Sequence, residues 1–130
     1  NREDRAAVPN MGVEGYYSLL SHARAVVGNS SSGIIEAASF RLPVLNIGTR
    51  QQGRLTDRNV VHAPAESNAI RDGLEQVLSS EFAATLEDLI NPYGDGNAAR
   101  RVVTGLRDTP IDDILLIKRF HDLPDQAGLA

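Results

Sequence analysis

An apolar run, a block of small polar residues and a helix-forming run follow one another at Val26-Val27-Gly28-Asn29-Ser30-Ser31-Ser32-Gly33-Ile34-Ile35-Glu36. The β-branched valines predict a short strand, and the apolar spacing after the serines predicts a helix over residues 32–41. Leu42-Pro43 ends that helix, because the residue before a proline avoids the helical conformation. A strand that turns sharply into a helix is the repeating unit of a parallel α/β sheet.

The sequence on either side continues this alternation. Strands are predicted over residues 25–27, 44–47 and 59–62, with the tail of another at 6–9. Helices are predicted over residues 16–23, 66–79, 81–90, 98–106 and 111–120, and loops over 12–15, 48–58 and 91–97. The pattern predicts a Rossmann-like α/β fold, a parallel sheet flanked by helices, in one domain spanning residues 1–130.

Composition narrows the functional classes. The chain has 130 residues, 42% of them hydrophobic, a net charge of -4 and no cysteine. These values favour a soluble domain in a reducing, cytoplasmic compartment, with neither nucleic acid nor a membrane as partner. We expect no metal, because no acidic or histidine cluster has ligand spacing. The first residue, Asn1, is not a methionine, so we expect a piece of a longer protein; its oligomeric state, including a homo-oligomer, stays open.

The Gly/Ser loop is the first candidate site. Backbone N–H groups at a helix start have no internal partner, and small residues let an anion approach them. The anion-binding residues would therefore be Asn29, Ser30, Ser31, Ser32 and Gly33. The alternative is an ordinary helix cap without a ligand. The P-loop lysine is missing, and a serine nucleophile with His62 or His121 as base fits poorly, because Ser32 replaces the last glycine of the nucleophile-elbow motif.

Two further features lie beside this loop in the predicted topology. Glu36, one turn into the helix, could accept hydrogen bonds from a vicinal diol such as a ribose, or simply face solvent. Arg50 and Arg54 follow the next strand, and guanidinium groups suit bidentate phosphate binding. Because the carboxyl ends of neighbouring parallel strands share one edge, we expect the two loops to lie side by side.

At this point the chain resembles a known family, the hydrolysing UDP-N-acetylglucosamine 2-epimerases. The resemblance covers roughly residues 10–120 and is carried by Gly28-Asn29-Ser30-Ser31-Ser32-Gly33, Gly48-Thr49-Arg50-Gln51-Gln52-Gly53-Arg54, Asn59-Val60, the segment 91–98 and Tyr16-Tyr17-Ser18-Leu19-Leu20. It implies the C-terminal, UDP-binding half of a two-domain GT-B fold, with the active site in the cleft against an N-terminal domain.

The resemblance also implies residue roles. Ser30 and Ser31 would bind the pyrophosphate, Glu36 the ribose hydroxyls and Arg50 the phosphates. Tyr16 would lie against the uracil, although a core aromatic is the alternative. The implied reaction removes UDP from a UDP-2-acetamido sugar with inversion at C2, giving a free manno-configured sugar for sialic-acid-like synthesis, without a cofactor.

Other functions stay open from the sequence. A GT-B glycosyltransferase domain would use the same loops but would need an acceptor, and a non-catalytic nucleotide-binding module would need neither. The run from Arg50 to Arg54 favours the epimerase family. Since the family's acid and base residues lie mainly on the N-terminal domain, no catalytic residue is assigned here, and this fragment alone is expected to be inactive.

Overall fold

A computed structural model of the chain describes residues 4–117. It divides into two compact units, with the boundary between Asp95 and Gly96. In the first unit three short strands, β1 (Val26–Gly28), β2 (Val44–Ile47) and β3 (Val60–Ala63), form a parallel sheet in the order β1-β2-β3.

Helical segments connect β1 to β2 and flank the sheet, whereas a loop connects β2 to β3. The first unit contains α1 (Gly12–His22), α2 (Ser31–Ile35), a short 3₁₀ helix (Ala37–Phe40), α3 (Ser67–Val77) and α4 (Ser80–Ala84). The second unit contains α5 (Ala98–Asp108) and α6 (Asp113–Leu116). Within residues 4–117, no helix has both the length and the apolar character needed to cross a membrane.

Both faces of the central strand β2 are covered, and its successive residues point to opposite sides of the sheet. Val44 packs with Leu20 of α1 and with Ala37 and Leu42. Its neighbour Leu45 is fully buried in the opposite cluster, which includes Ala63 and Val77, together with partly buried side chains of α3. A parallel sheet with helices on both faces is a Rossmann-like α/β arrangement, so the predicted fold class is confirmed.

Several predicted element boundaries are wrong. Residues 5–8 lack regular structure and are exposed, whereas residues 12–15 begin α1 instead of forming a loop. The helix predicted over 32–41 is broken at Glu36, and its second part is a 3₁₀ turn that ends at Arg41 with φ 53. The helix predicted over 81–90 stops at Ala84. That predicted over 111–120 is Asp113–Leu116, and residues 118–120 lie outside the described part.

The shortened helix at residue 84 has a physical reason. Leu86 and Leu89 are buried together with Ala38, and Phe82 packs against them. Their spacing of three and four residues is the helical one, but the segment reaches the same burial with successive turns, such as Leu86 N–H to the Ala83 carbonyl (3.0 Å) and Leu89 N–H to the Leu86 carbonyl (3.0 Å). Spacing alone does not distinguish tight turns from a continuous helix.

Gly73 permits the closest approach between a helix and the sheet. A Cβ built on it would lie 2.5 Å from Cδ1 of Leu45 and 3.3 Å from Cδ2 of the same residue. Leu45 is completely buried, so its side chain has little room to move away. The glycine therefore sets the distance between α3 and β2.

We expect Gly73→Ala to lower the free energy of unfolding by about 1–3 kcal/mol, because overpacking outweighs the gain in helix propensity. Gly105→Ala is the matched control: its Cβ meets no atom within 4 Å among the described residues, and it should be neutral or stabilising by up to about 1 kcal/mol. Urea unfolding followed by circular dichroism measures both. Equal or higher stability for Gly73→Ala would contradict the packing account.

Candidate functional site

The loops after the strands lie at one edge of the sheet, because all three strands are parallel. At this edge Gly28 has φ 144 and Gly48 has φ 79, conformations that side chains with a Cβ rarely adopt. These glycines turn the chain out of β1 into the Gly/Ser loop and out of β2 into the arginine loop (residues 48–58). The edge is where ligands bind in open α/β sheets.

The two loops are fastened to each other at a single atom, the backbone carbonyl oxygen of Asn29. Nε2 of Gln51 donates to it at 2.7 Å and Nη1 of Arg50 donates at 3.1 Å. A carbonyl oxygen has two lone pairs, and these two donors occupy both. The prediction that the loops lie side by side is thereby confirmed.

Gln51 is a residue that the sequence reasoning overlooked as a support for the site. It is only 3% exposed, although it lies in a polar loop. Its Oε1 is buried and has no hydrogen-bond partner among the described residues. The sequence signal for Gln51 was its position within the motif from Gly48 to Arg54. Sequence spacing does not show that a glutamine in a polar loop is buried.

A hydrogen-bond chain runs from α1 to the end of α2. The hydroxyl of Tyr16 bonds to the hydroxyl of Ser32, and Ser32 Oγ donates to Oε2 of Glu36 at 2.6 Å. The structure thus brings together three residues predicted to contact a nucleotide. The ring of Tyr16 is half-buried and packs against the cluster formed by Leu20 and Ala37.

Ser30 has the helix-capping role that was the simpler alternative. Its Oγ accepts from the N–H of Ser32 at 3.3 Å. Capping uses the oxygen only as an acceptor, so the hydroxyl hydrogen of Ser30 remains available to a ligand. Capping and anion binding are therefore compatible at this residue.

A cavity of about 450 Å³ opens beside the arginine loop, at the carboxyl ends of β2 and β3. Arg54, Gln51 and His62 are among its lining residues. Asn46 of β2, only 2% exposed, donates from Nδ2 to Nδ1 of His62 at 3.1 Å. In this bond Nδ1 of His62 is the acceptor, because an amide nitrogen only donates.

Arg58 has a structural role, and the acidic and histidine side chains of the described residues form no metal-binding cluster. Arg58, at the end of the arginine loop, pairs with Asp88 and donates from Nε to the Thr85 carbonyl at 2.8 Å. It therefore fastens the loop to the segment after α4. Within the described residues, no three acidic or histidine side chains gather as metal ligands would.

The geometry defines a class: an α/β domain with a Gly/Ser loop and an arginine loop joined at the ligand-binding edge of its sheet. Comparison with known proteins narrows that class. The family model for UDP-N-acetylglucosamine 2-epimerase matches residues 2–107. The chain belongs to the UDP-N-acetylglucosamine 2-epimerase family, as the resemblance predicted.

The curated relatives include two proteins named as hydrolysing 2-epimerases. The chain is 40% identical over 115 residues to GDP/UDP-N,N'-diacetylbacillosamine 2-epimerase (hydrolyzing) of Campylobacter jejuni, a match covering 88% of this chain and 29% of the relative. It is 37% identical over 103 residues to UDP-N,N'-diacetylbacillosamine 2-epimerase (hydrolyzing) of Legionella pneumophila (79% and 26%). It is 33% identical over 112 residues to polysialic acid biosynthesis protein P7 of Escherichia coli (86% and 29%). The chain thus spans less than a third of these relatives.

Gln51→Ala should lower the free energy of unfolding by about 1–3 kcal/mol, because it removes a buried donor to the Asn29 carbonyl. The neighbouring Gln52 is exposed, so Gln52→Ala should change stability by less than about 0.5 kcal/mol. Urea unfolding of both variants measures the difference. Indistinguishable curves would show that the bond from Gln51 to the Asn29 carbonyl contributes nothing to stability.

Proposed function

We propose that this chain is the UDP-binding part of a hydrolysing 2-epimerase that acts on a UDP-2-acetamido sugar. The observation that carries the proposal is the convergence of Arg50 and Gln51 on the Asn29 carbonyl. This contact joins the Arg50 guanidinium to the residue before Ser30, and guanidinium groups suit the binding of a diphosphate. Family membership and the names of the Campylobacter and Legionella relatives support the hydrolysing reaction.

The diphosphate would lie between the two loops. Ser30 and Ser31 would donate their hydroxyl hydrogens, with backbone N–H groups at the start of α2. Arg50 donates from Nη1 to the Asn29 carbonyl, and its other N–H groups would donate to the phosphates. Arg54, on the cavity side of the arginine loop, would add positive charge. These donors would offset most of the charge of UDP without a metal ion.

The backbone beside the diphosphate is held close to the sheet. A Cβ on Gly33 would lie 3.1 Å from Cγ1 of Val44, so the absence of a side chain lets α2 approach β2. The side chain of Asn29 is exposed, while its carbonyl is occupied by the arginine loop. We propose that Asn29 and Gly33 shape the loop, and that the neighbouring serines make the phosphate contacts.

The nucleoside would extend toward α1. Glu36 would accept hydrogen bonds from the ribose hydroxyls, and Tyr16 would lie against the uracil. A carboxylate has about four lone-pair sites on two oxygens, so the bond from Ser32 leaves acceptor capacity for a diol. The position of Glu36 one turn behind the serines keeps its charge away from the diphosphate.

The proposed reaction breaks the bond between C1 of the sugar and the UDP oxygen. UDP leaves with its electron pair as a proton is lost from C2, and water then adds to the resulting alkene to give the C2-inverted free sugar. The role of this chain is to stabilise negative charge on the departing UDP through Ser30, Ser31 and Arg50. Proton transfer would come from a further domain across a GT-B cleft, so the chain alone should bind UDP without turnover.

Isothermal calorimetry with UDP tests the binding role. Arg50→Ala should weaken UDP binding by about tenfold or more, since a charge-assisted bond is worth roughly 1.5–3 kcal/mol. Uridine, which lacks phosphate, should be affected much less. Arg71→Ala, an exposed arginine on α3 that bonds to Asn68, is the matched control. Equal losses for UDP and uridine would remove Arg50 from the phosphate site.

The chemistry is tested in a full-length protein that contains this segment. Incubation with a UDP-2-acetamido sugar in D₂O should place deuterium at C2 of the free sugar, because the C2–H bond is broken before water adds. Mass spectrometry and proton NMR of the product measure it. A free sugar with hydrogen retained at C2 would contradict the epimerase reaction, and transfer to an acceptor would indicate a glycosyltransferase.

A further inference from the structure

We infer that Ser32 is a positioning residue: it holds Glu36 and Tyr16 in place for the nucleoside and does not bind the diphosphate. This inference rests on the proposed function and divides the work within the serine block. Ser30 and Ser31 serve the phosphates, whereas Ser32 serves the ribose through another residue. The assignment departs from the simple expectation that three consecutive serines share one role.

The hydrogen-bonding capacity of Ser32 carries the argument. A hydroxyl has one hydrogen to donate, and Ser32 Oγ donates it to Oε2 of Glu36 at 2.6 Å. Because that hydrogen is used, the bond between Ser32 and Tyr16 must take its hydrogen from the phenol. The backbone N–H of Ser32 is also used, by Oγ of Ser30.

A diphosphate needs donors, and Ser32 has none left. Phosphate oxygens at neutral pH are acceptors, so the remaining lone pair of Ser32 offers them nothing. If the Ser32 hydroxyl bound a phosphate, its bond to Glu36 would break. The Glu36 carboxylate would then lose a hydrogen-bond donor and lie close to an anion. Charge repulsion and the loss of a charge-assisted bond both oppose that arrangement.

The hydrogen bonds from Tyr16 through Ser32 to Glu36 couple two elements that would otherwise move separately. Tyr16 lies on α1 and Glu36 immediately follows α2, so Ser32 is the only described residue that hydrogen-bonds to both side chains. The ring of Tyr16 is further restrained by Tyr17, with ring centroids 6.1 Å apart. Removing the Ser32 hydroxyl should therefore release the carboxylate while the aromatic ring stays packed.

The test compares UDP, 2′-deoxy-UDP and inorganic pyrophosphate by calorimetry on the 130-residue chain. The unaltered chain should prefer UDP to 2′-deoxy-UDP by about tenfold, because the 2′-hydroxyl donates to Glu36. Ser32→Ala should reduce that preference to about threefold or less and change pyrophosphate binding by less than about twofold. Ser31→Ala should do the opposite, weakening pyrophosphate and keeping the preference. Ser21→Ala, whose hydroxyl bonds within α1, is the matched control.

Two conservative variants separate positioning from general damage. Ser32→Thr keeps the hydroxyl and should therefore retain the preference for UDP over 2′-deoxy-UDP. If Ser32→Ala acted only by disturbing helix packing, the threonine hydroxyl would not restore that preference. Tyr16→Phe leaves the bond from Ser32 to Glu36 intact and should lower the preference less than Ser32→Ala. Circular dichroism checks that each variant is folded.

The outcomes distinguish this inference from the proposed function. If UDP binds but Ser32→Ala weakens pyrophosphate as much as UDP, Ser32 is a phosphate ligand and only the positioning role is overturned. An unchanged preference in a folded Ser32→Ala variant also overturns it. If the unaltered chain binds neither UDP nor pyrophosphate, the proposed function and this inference both fall.

Discussion

The site depends on one backbone atom, the carbonyl oxygen of Asn29, which accepts hydrogen bonds from Gln51 and Arg50. That oxygen belongs to the turn that leaves β1, and both donors belong to the turn that leaves β2. Without the contact, the two loops would share an edge of the sheet but would have no fixed separation. Because Gln51 is buried, breaking the contact would leave a polar amide without a partner, and this cost keeps the loops together.

The sheet supplies the conditions for this contact. Parallel pairing, with Val26 beside Val44 and Gly28 beside Asn46, makes both loops leave the same edge of the sheet. Gly28 and Gly48 then turn the chain sharply with positive φ, and the missing side chain of Gly33 lets α2 lie against β2. Helices on both faces bury the central strand β2, and the two candidate loops lie at the carboxyl edge of the sheet. Polar groups then divide by position: the Asn29 carbonyl contacts the arginine loop, whereas Ser32 bonds to Glu36 and to Tyr16 of α1.

Much of this could be predicted from the sequence, for identifiable reasons. Val44 and Leu45 belong to a β-branched and apolar run before a polar loop, and such a run predicts a buried parallel strand. The site loops were predictable because glycine, serine and arginine cluster where a parallel sheet binds ligands. Less predictable were contacts that depend on tertiary geometry: the inward turn of Gln51, the bond from Asn46 to His62, and the pairing of Arg58 with Asp88. The break of the predicted helix at Glu36 belongs to the same class, since residues 32–41 contain no internal glycine or proline after Gly33.

The central claim is that a diphosphate lies between the Gly/Ser loop and the arginine loop. The most direct measurement is a titration of the isotopically labelled chain with UDP, followed by NMR of the backbone amides and the arginine Nε–H groups. The account predicts that the largest shifts fall on the amides of Ser30 and Ser31 and on the side chain of Arg50. The opposite result would contradict it: the largest shifts fall on the amides of Ala63 and of the residues next to Pro64, at the cavity that His62 lines, and the serine amides do not shift.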